Sequence, residues 1–154
     1  MLEKIKELAA SSKSDTVAFR HHLHTHPEIA WQEVETTRAV AEELKKIGCD
    51  IVKIGFGGTE CGVVADLRGG KPGKRVALRG DMDALPMNED NDLPYRSRKD
   101  GVMHACGHDA HTAMLLWAAK VLSEIRDDIP GTVRFLFQPA EESGLKSGAK
   151  AMVE

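Results

Sequence analysis

Apolar positions near the N-terminus follow a helical spacing. Leu2, Ile5 and Leu8 fall three apart, one face of a helix. Ser14 is placed to cap a second helix from about 15 to about 25, which Pro27 ends. A third helix is expected over about 33–47, with Val34, Ala41, Leu44 and Ile47 as its apolar stripe and Gly48 as a left-handed stop. The pattern then turns strand-like. Residues 49–54 and 61–67 are β-rich runs joined by Gly55-Phe56-Gly57-Gly58, which reads as a hairpin. A turn over 69–73 precedes a short strand at 75–79, and a long irregular stretch covers about 80–103. A strong helix is expected over about 109–126, with Met114, Leu115, Leu116, Trp117 and Leu122 on its core face. Pro130-Gly131, a strand at 132–137, a stop at Pro139 and a helix starting near Gly148 complete the pattern.

Strand, helix and strand in succession form a βαβ unit, whose two strands should be parallel with a right-handed crossover. The fold class is therefore α/β, a mixed sheet with flanking helices, the hairpin forming its antiparallel part. In such open sheets ligands bind beyond the carboxyl ends of the strands.

The 154 residues suffice for one domain with its own core, so 1–154 are read as a single unit. A net charge of −3 with scattered Lys and Arg gives no footprint for nucleic acid. No apolar run reaches membrane-spanning length, and the charged N-terminus resembles neither a signal nor a transit peptide. Cys49, Cys61 and Cys106 cannot all pair within the chain, which points to a reducing cytoplasm. The sequence stops inside a helical pattern without a cap, so a truncated chain is expected.

Topology makes the chemistry converge. The strand at 75–79 runs into Gly80-Asp81-Met82-Asp83, and the strand at 132–137 runs into Gln138-Pro139-Ala140-Glu141-Glu142. The helix between them follows His104-Ala105-Cys106-Gly107-His108-Asp109-Ala110-His111. Carboxylates, a thiol and imidazoles thus gather at one sheet edge, where like charges repel unless a cation joins them. A divalent metal, or a pair, resolves this. Thiolate, imidazole and carboxylate together suit zinc, and a carboxylate-rich pair of sites also admits manganese, cobalt or nickel. Cys106 and His108 can face one ion across Gly107. If Glu141 and Glu142 are extended they point different ways, one toward metal and one free as a base. Singly, each feature has a plainer explanation: Asp81 and Asp83 as turn formers, Asp109 as a helix cap, and the histidines from His21 to His26 as a polar helix face. A Cys106 nucleophile with His108 as base is a competing reading that leaves the acidic residues without a purpose.

The segments RHHLHTHPE, RGDMDALP, MHACGHDAHTAML and FLFQPAEE, in that order, resemble the metallopeptidase-type amidohydrolases. That group includes hippurate hydrolase, N-acetyl-diaminopimelate deacetylase, aminoacylase-like carboxypeptidases and the plant indole-acetyl-amino-acid hydrolases. The resemblance implies a zinc-peptidase-like catalytic domain, of which 1–154 would be the N-terminal part, truncated before the lid domain. It implies a pair of divalent ions, with Cys106, His108 and Glu142 as ligands, Glu141 as general base and Asp83 as the acidic catalytic residue supporting the metal site. The implied substrate is an N-acyl amino acid, and the implied full-length form can be a homodimer through its lid. Family members are longer and add histidine ligands downstream, whereas the last histidine here is His111. Trp117 stands where a small residue is common, and Ser143-Gly144-Leu145-Lys146 replaces a glycine-rich stretch. A non-catalytic metal-binding or interaction module of the same ancestry is the alternative.

Overall fold

The computed structural model describes residues 1–154, apart from the side chain of Leu145. Helices α1 (Leu2–Ser11) and α2 (Lys13–Thr25) meet at Ser12. Ser12, and not Ser14, occupies the start of α2. Its backbone stays close to helical (φ −93°, ψ 3°), so its hydroxyl bonds back to the Leu8 carbonyl at 2.9 Å instead of forward. Helix α3 (Val34–Ile47) ends at Gly48 in the expected left-handed conformation, φ +86°. Val40, Thr36 and Thr37 join Ala41 and Leu44 on its buried face. Thr37 is accommodated because its hydroxyl accepts the Gly62 N–H.

Strands β1 (Asp50–Ile54), β2 (Val63–Arg68), β3 (Lys71–Asp81) and β4 (Pro130–Gln138) form one sheet in the order β1-β2-β4-β3. The first two pairings are antiparallel and β3 lies parallel to β4, which is the mixed sheet expected. The hairpin loop is longer than four glycine-rich residues. Bonds from Gly55 and Phe56 to Gly62 and Cys61 move the latter two out of β2. Strand β3 begins at Lys71 and not at 75: Lys71 pairs with Pro130, a bulge follows, and the ladder resumes at Arg75. Helix α4 (His108–Ser123) is shorter than expected, because the chain tightens into a 3₁₀ turn, Arg126–Asp128, before β4. A second 3₁₀ segment, Glu141–Lys146, leads to α5 (Gly148–Val153).

Alternation along the strands sets the core. Val63, Ala65 and Leu67 on β2 face Phe137, Phe135 and Val133 on β4, and this side packs on Val40, Leu44, Leu116 and Ala119. On the opposite face Asp66 takes a bidentate pair of bonds from Arg134, both 2.8 Å, which hold its carboxyl below the usual range. Met114, expected in the core, is instead 57% exposed, and β3 lies at the sheet edge with Val76 and Leu78 exposed. Among the described residues no helix is long and apolar enough to cross a membrane.

Candidate metal centre

The parallel pair β3 and β4 ends side by side, with Asp81 opposite Gln138. Immediately beyond lie Met82-Asp83 and Pro139–Glu142, joined where the Met82 N–H bonds to the Gln138 carbonyl. The start of α4 closes on the same spot. A side chain at Gly80 would meet the His111 carbonyl at 3.0 Å, so glycine lets the helix sit directly on the strand end. Gly107, φ +88°, precedes α4 and turns the chain from Cys106 into the helix. Thr112 then ties α4 down through a 2.8 Å bond to the Asp81 carbonyl.

This assembly brings Cys106, His108 and Glu142 together, with one donor atom from each within 4.8 Å of the others. Cys106 and Glu142 are exposed while His108 and Asp83 are buried behind them. His108 Nδ1 approaches the Asp83 carbonyl oxygen at 3.0 Å and Asp83 Oδ1 at 3.2 Å. A carbonyl only accepts, so Nδ1 carries the proton and Nε2 is left with its lone pair free for a cation. The Asp83 hydrogen bond raises the His108 pKa. For Asp83 itself burial pushes the pKa up, but bonds from His108 and from the amides of Glu142 and Glu141 outweigh it, and the net shift is downward. The Glu142 carboxylate beside Cys106 raises the thiol pKa, the opposite of what a free nucleophilic thiolate needs. A soft thiol, a neutral imidazole nitrogen and a carboxylate on one open face form a donor set that could hold a divalent cation.

Glu141 and Glu142 are not extended. They open the 3₁₀ segment, so the extended geometry expected of them is absent. A second grouping, Asp81, His108 and His111, also lies within 4.8 Å. It competes for the single free nitrogen of His108, and Asp81 already pairs with Arg79 at 2.8 Å.

Three buried arrangements were not foreseen in the sequence. Arg20 Nε and His24 Nδ1 both reach Asp109 Oδ2 at 2.7 Å, and His24 Nε2 faces Glu89 Oε1 at 3.1 Å. His24 is therefore a buried tie between α2 and α4, not part of an exposed polar face. Asp109 sits inside the first turn of α4 and serves this cluster instead of capping the helix, a place taken by Gly107. His104 is buried with neither ring nitrogen bonded among the described residues, and burial pushes its pKa down to about 4. Glu33 is fully buried beside the turn that precedes Glu141. The His-rich segment was the available signal for the first cluster. For Glu33 a lone acidic residue at a helix start gave none.

Residues 77–154 match the model of peptidase family M20/M25/M40. The chain is 49% identical over 153 residues to an N-acyl-L-amino acid amidohydrolase of Geobacillus stearothermophilus, covering 99% of this chain and 40% of that protein. It is 46% identical over 154 residues to thermostable carboxypeptidase 1 of Saccharolobus solfataricus, covering all of this chain and 39% of that one. Among solved structures, a Bacillus subtilis protein described as a dinuclear metal-binding peptidase of the M20 family superposes with a TM-score of 0.84 at 40% identity, over 94% of this chain and 40% of that one. The chain thus spans about two fifths of the length of the curated relatives it matches. Because the family model covers just over half of its residues, including all three segments at the strand ends, the chain belongs to peptidase family M20/M25/M40.

Proposed function

We propose that this protein is a metal-dependent amidohydrolase that cleaves the amide bond of N-acyl amino acids with water. The observation that carries the reading is the convergence of Cys106, His108 and Glu142 on one exposed point, with Asp83 buried behind them. The named activities of the amidohydrolase and carboxypeptidase relatives support the bond type and the substrate class. Cys106, His108 and Glu142 are the proposed ligands. The Bacillus subtilis neighbour, described as dinuclear, supports a pair of divalent ions, with zinc or manganese favoured by the donor set. Further ligands are proposed to come from histidines outside these residues, since the chain covers only 40% and 39% of the relatives it matches.

A divalent ion held there supplies Lewis acidity toward the scissile carbonyl and toward water. Glu141 is the proposed general base: it takes the proton from the attacking water and delivers it to the nitrogen of the leaving amine as the C–N bond breaks. Asp83 keeps His108 Nδ1 protonated and so presents Nε2. Glu142 is oriented by its own backbone, whose N–H bonds to Asp83 Oδ2. Three free cysteines accord with a cytoplasmic location, and a homodimer is the proposed assembly.

The test is release of free amino acid from a panel of N-acetyl amino acids and N-benzoylglycine by the full-length protein, with and without a chelator. Turnover abolished by the chelator and restored by zinc or manganese supports the proposal. Metal uptake with no turnover on any amide would replace it with the non-catalytic module.

A further inference from the structure

Glu33 is fully buried, and its carboxyl faces no cation among the described residues. Oε1 accepts the backbone N–H of Ala140 at 2.7 Å. Oε2 is buried without a hydrogen-bond partner, although the Cys61 thiol lies alongside the carboxyl. A residue needed only to fill this space would be more stable as an apolar side chain. What Glu33 holds is unusual. Ala140 has φ +51° and ψ +46°, a left-handed conformation that a non-glycine residue keeps only when its surroundings over-determine it. Its carbonyl is held as well, by the N–H of Gly148 at 3.2 Å.

The next two residues are Glu141 and Glu142. The far end of their turn is gripped from the same place: Trp31 Nε1–H bonds to the Lys146 carbonyl at 2.9 Å. Trp31 is itself left-handed, φ +65°. One short segment ahead of α3 therefore holds both ends of the 140–146 turn.

From this geometry we infer that Glu33 is a positioning residue, whose carboxyl clamps Ala140 in the left-handed turn that aims Glu141 and Glu142, with Trp31 bracing the far end. Its catalytic consequence rests on the proposed function. Its structural content does not. Without the clamp Ala140 relaxes toward right-handed or extended backbone, and both glutamates turn away from His108 and Cys106.

The experiment compares the full-length protein with its Glu33→Ala and Glu33→Gln variants in three readouts. These are metal affinity by chelator competition, kcat and KM separately, and the exchange rate of the Ala140 amide. Glu33→Ala is expected to weaken metal binding about tenfold or more, to lower kcat with little change in KM, and to speed Ala140 exchange. Glu33→Gln, whose amide oxygen accepts the same bond, is expected to recover most of each loss. A folded Glu33→Ala variant matching the wild type in affinity and kcat overturns the inference. If that variant does not fold, exchange in the wild type decides: an Ala140 amide as fast as that of exposed Gly144 overturns it, and one markedly slower upholds it. A wild type that binds no metal and cleaves no amide defeats the proposed function alone, because the Ala140 exchange rate still reports the clamp.

Discussion

Asp83 Oδ2 accepts the backbone N–H of Glu142 at 2.9 Å, across 59 positions of sequence. The other oxygen of the same carboxylate engages His108. Asp83 therefore ties together two of the three proposed ligands. An Asp83→Asn substitution must point an NH₂ group at one of two N–H donors, and one of the bonds is lost. Metal affinity is expected to fall roughly 10- to 100-fold, the usual cost of removing a hydrogen-bonding partner behind a ligand. Chelator competition on the folded variant checks this; an unchanged affinity would show that Asp83 is not a brace.

Glu141 and Glu142 are adjacent but are assigned different tasks. Glu141→Gln should retain metal and lower kcat by about 10²- to 10⁴-fold, the range for loss of general acid–base catalysis. Glu142→Gln should instead lose metal first. Metal content and kcat measured on both variants separate the two roles, and equal metal loss in both would merge them.

Gly80 is where α4 rests on β3. A Gly80→Ala side chain would press on the His111 carbonyl at 3.0 Å and on Leu115 at 3.3 Å. Backbone cannot yield as a flexible side chain does, so a loss of about 1–3 kcal/mol is expected. Urea unfolding gives the value. Stability equal to the wild type would mean that the helix docks less tightly than described.

Burial pushes the Glu33 carboxyl up from 4.5 to about 7. Between those values the folded chain keeps the Glu33 proton while the unfolded chain has released it. The folded state then binds more protons, and stability falls as pH rises through the window. Below it both states are protonated, and above it both are ionised and the loss is complete. The full effect is about 3 kcal/mol as an order of magnitude, at about 1.4 kcal/mol per pKa unit. His104, lowered to about 4, works in the opposite direction over an overlapping range. The useful quantity is therefore the difference in unfolding free energy between wild type and Glu33→Gln. That difference should shift against the wild type from pH 4 to pH 8, and parallel profiles would contradict a buried titrating carboxyl.

The helices, the strand pairing and the convergence of acidic, thiol and imidazole residues at the strand ends were legible because they rest on local periodicity and on one topological rule. Leu44 and Gly48 mark their helix by spacing alone, and Asp83 and Glu142 follow from where parallel strands must end. What stayed hidden depends on distant partners. Glu33 bonds to a backbone 107 positions away, and His24 to a carboxylate 85 positions away. An acidic residue near a helix start has the same local signature whether it faces water or a buried amide. Ser12 displaced Ser14 as the break between α1 and α2 because the chain there stays nearly helical, which residue type alone does not show. Asp109 looked like a cap because it opens a helix, yet Gly107 does so and Asp109 pairs with Arg20.

Co(II) tests whether Cys106, His108 and Glu142 hold one divalent ion between them. Metal-free full-length protein titrated with Co(II) should develop a thiolate-to-cobalt charge-transfer band in the near ultraviolet, since among these residues only Cys106 supplies sulfur. The band should vanish in Cys106→Ser while that variant remains folded. Bound cobalt without the band, or a band that survives Cys106→Ser, would show that Cys106 is not a ligand.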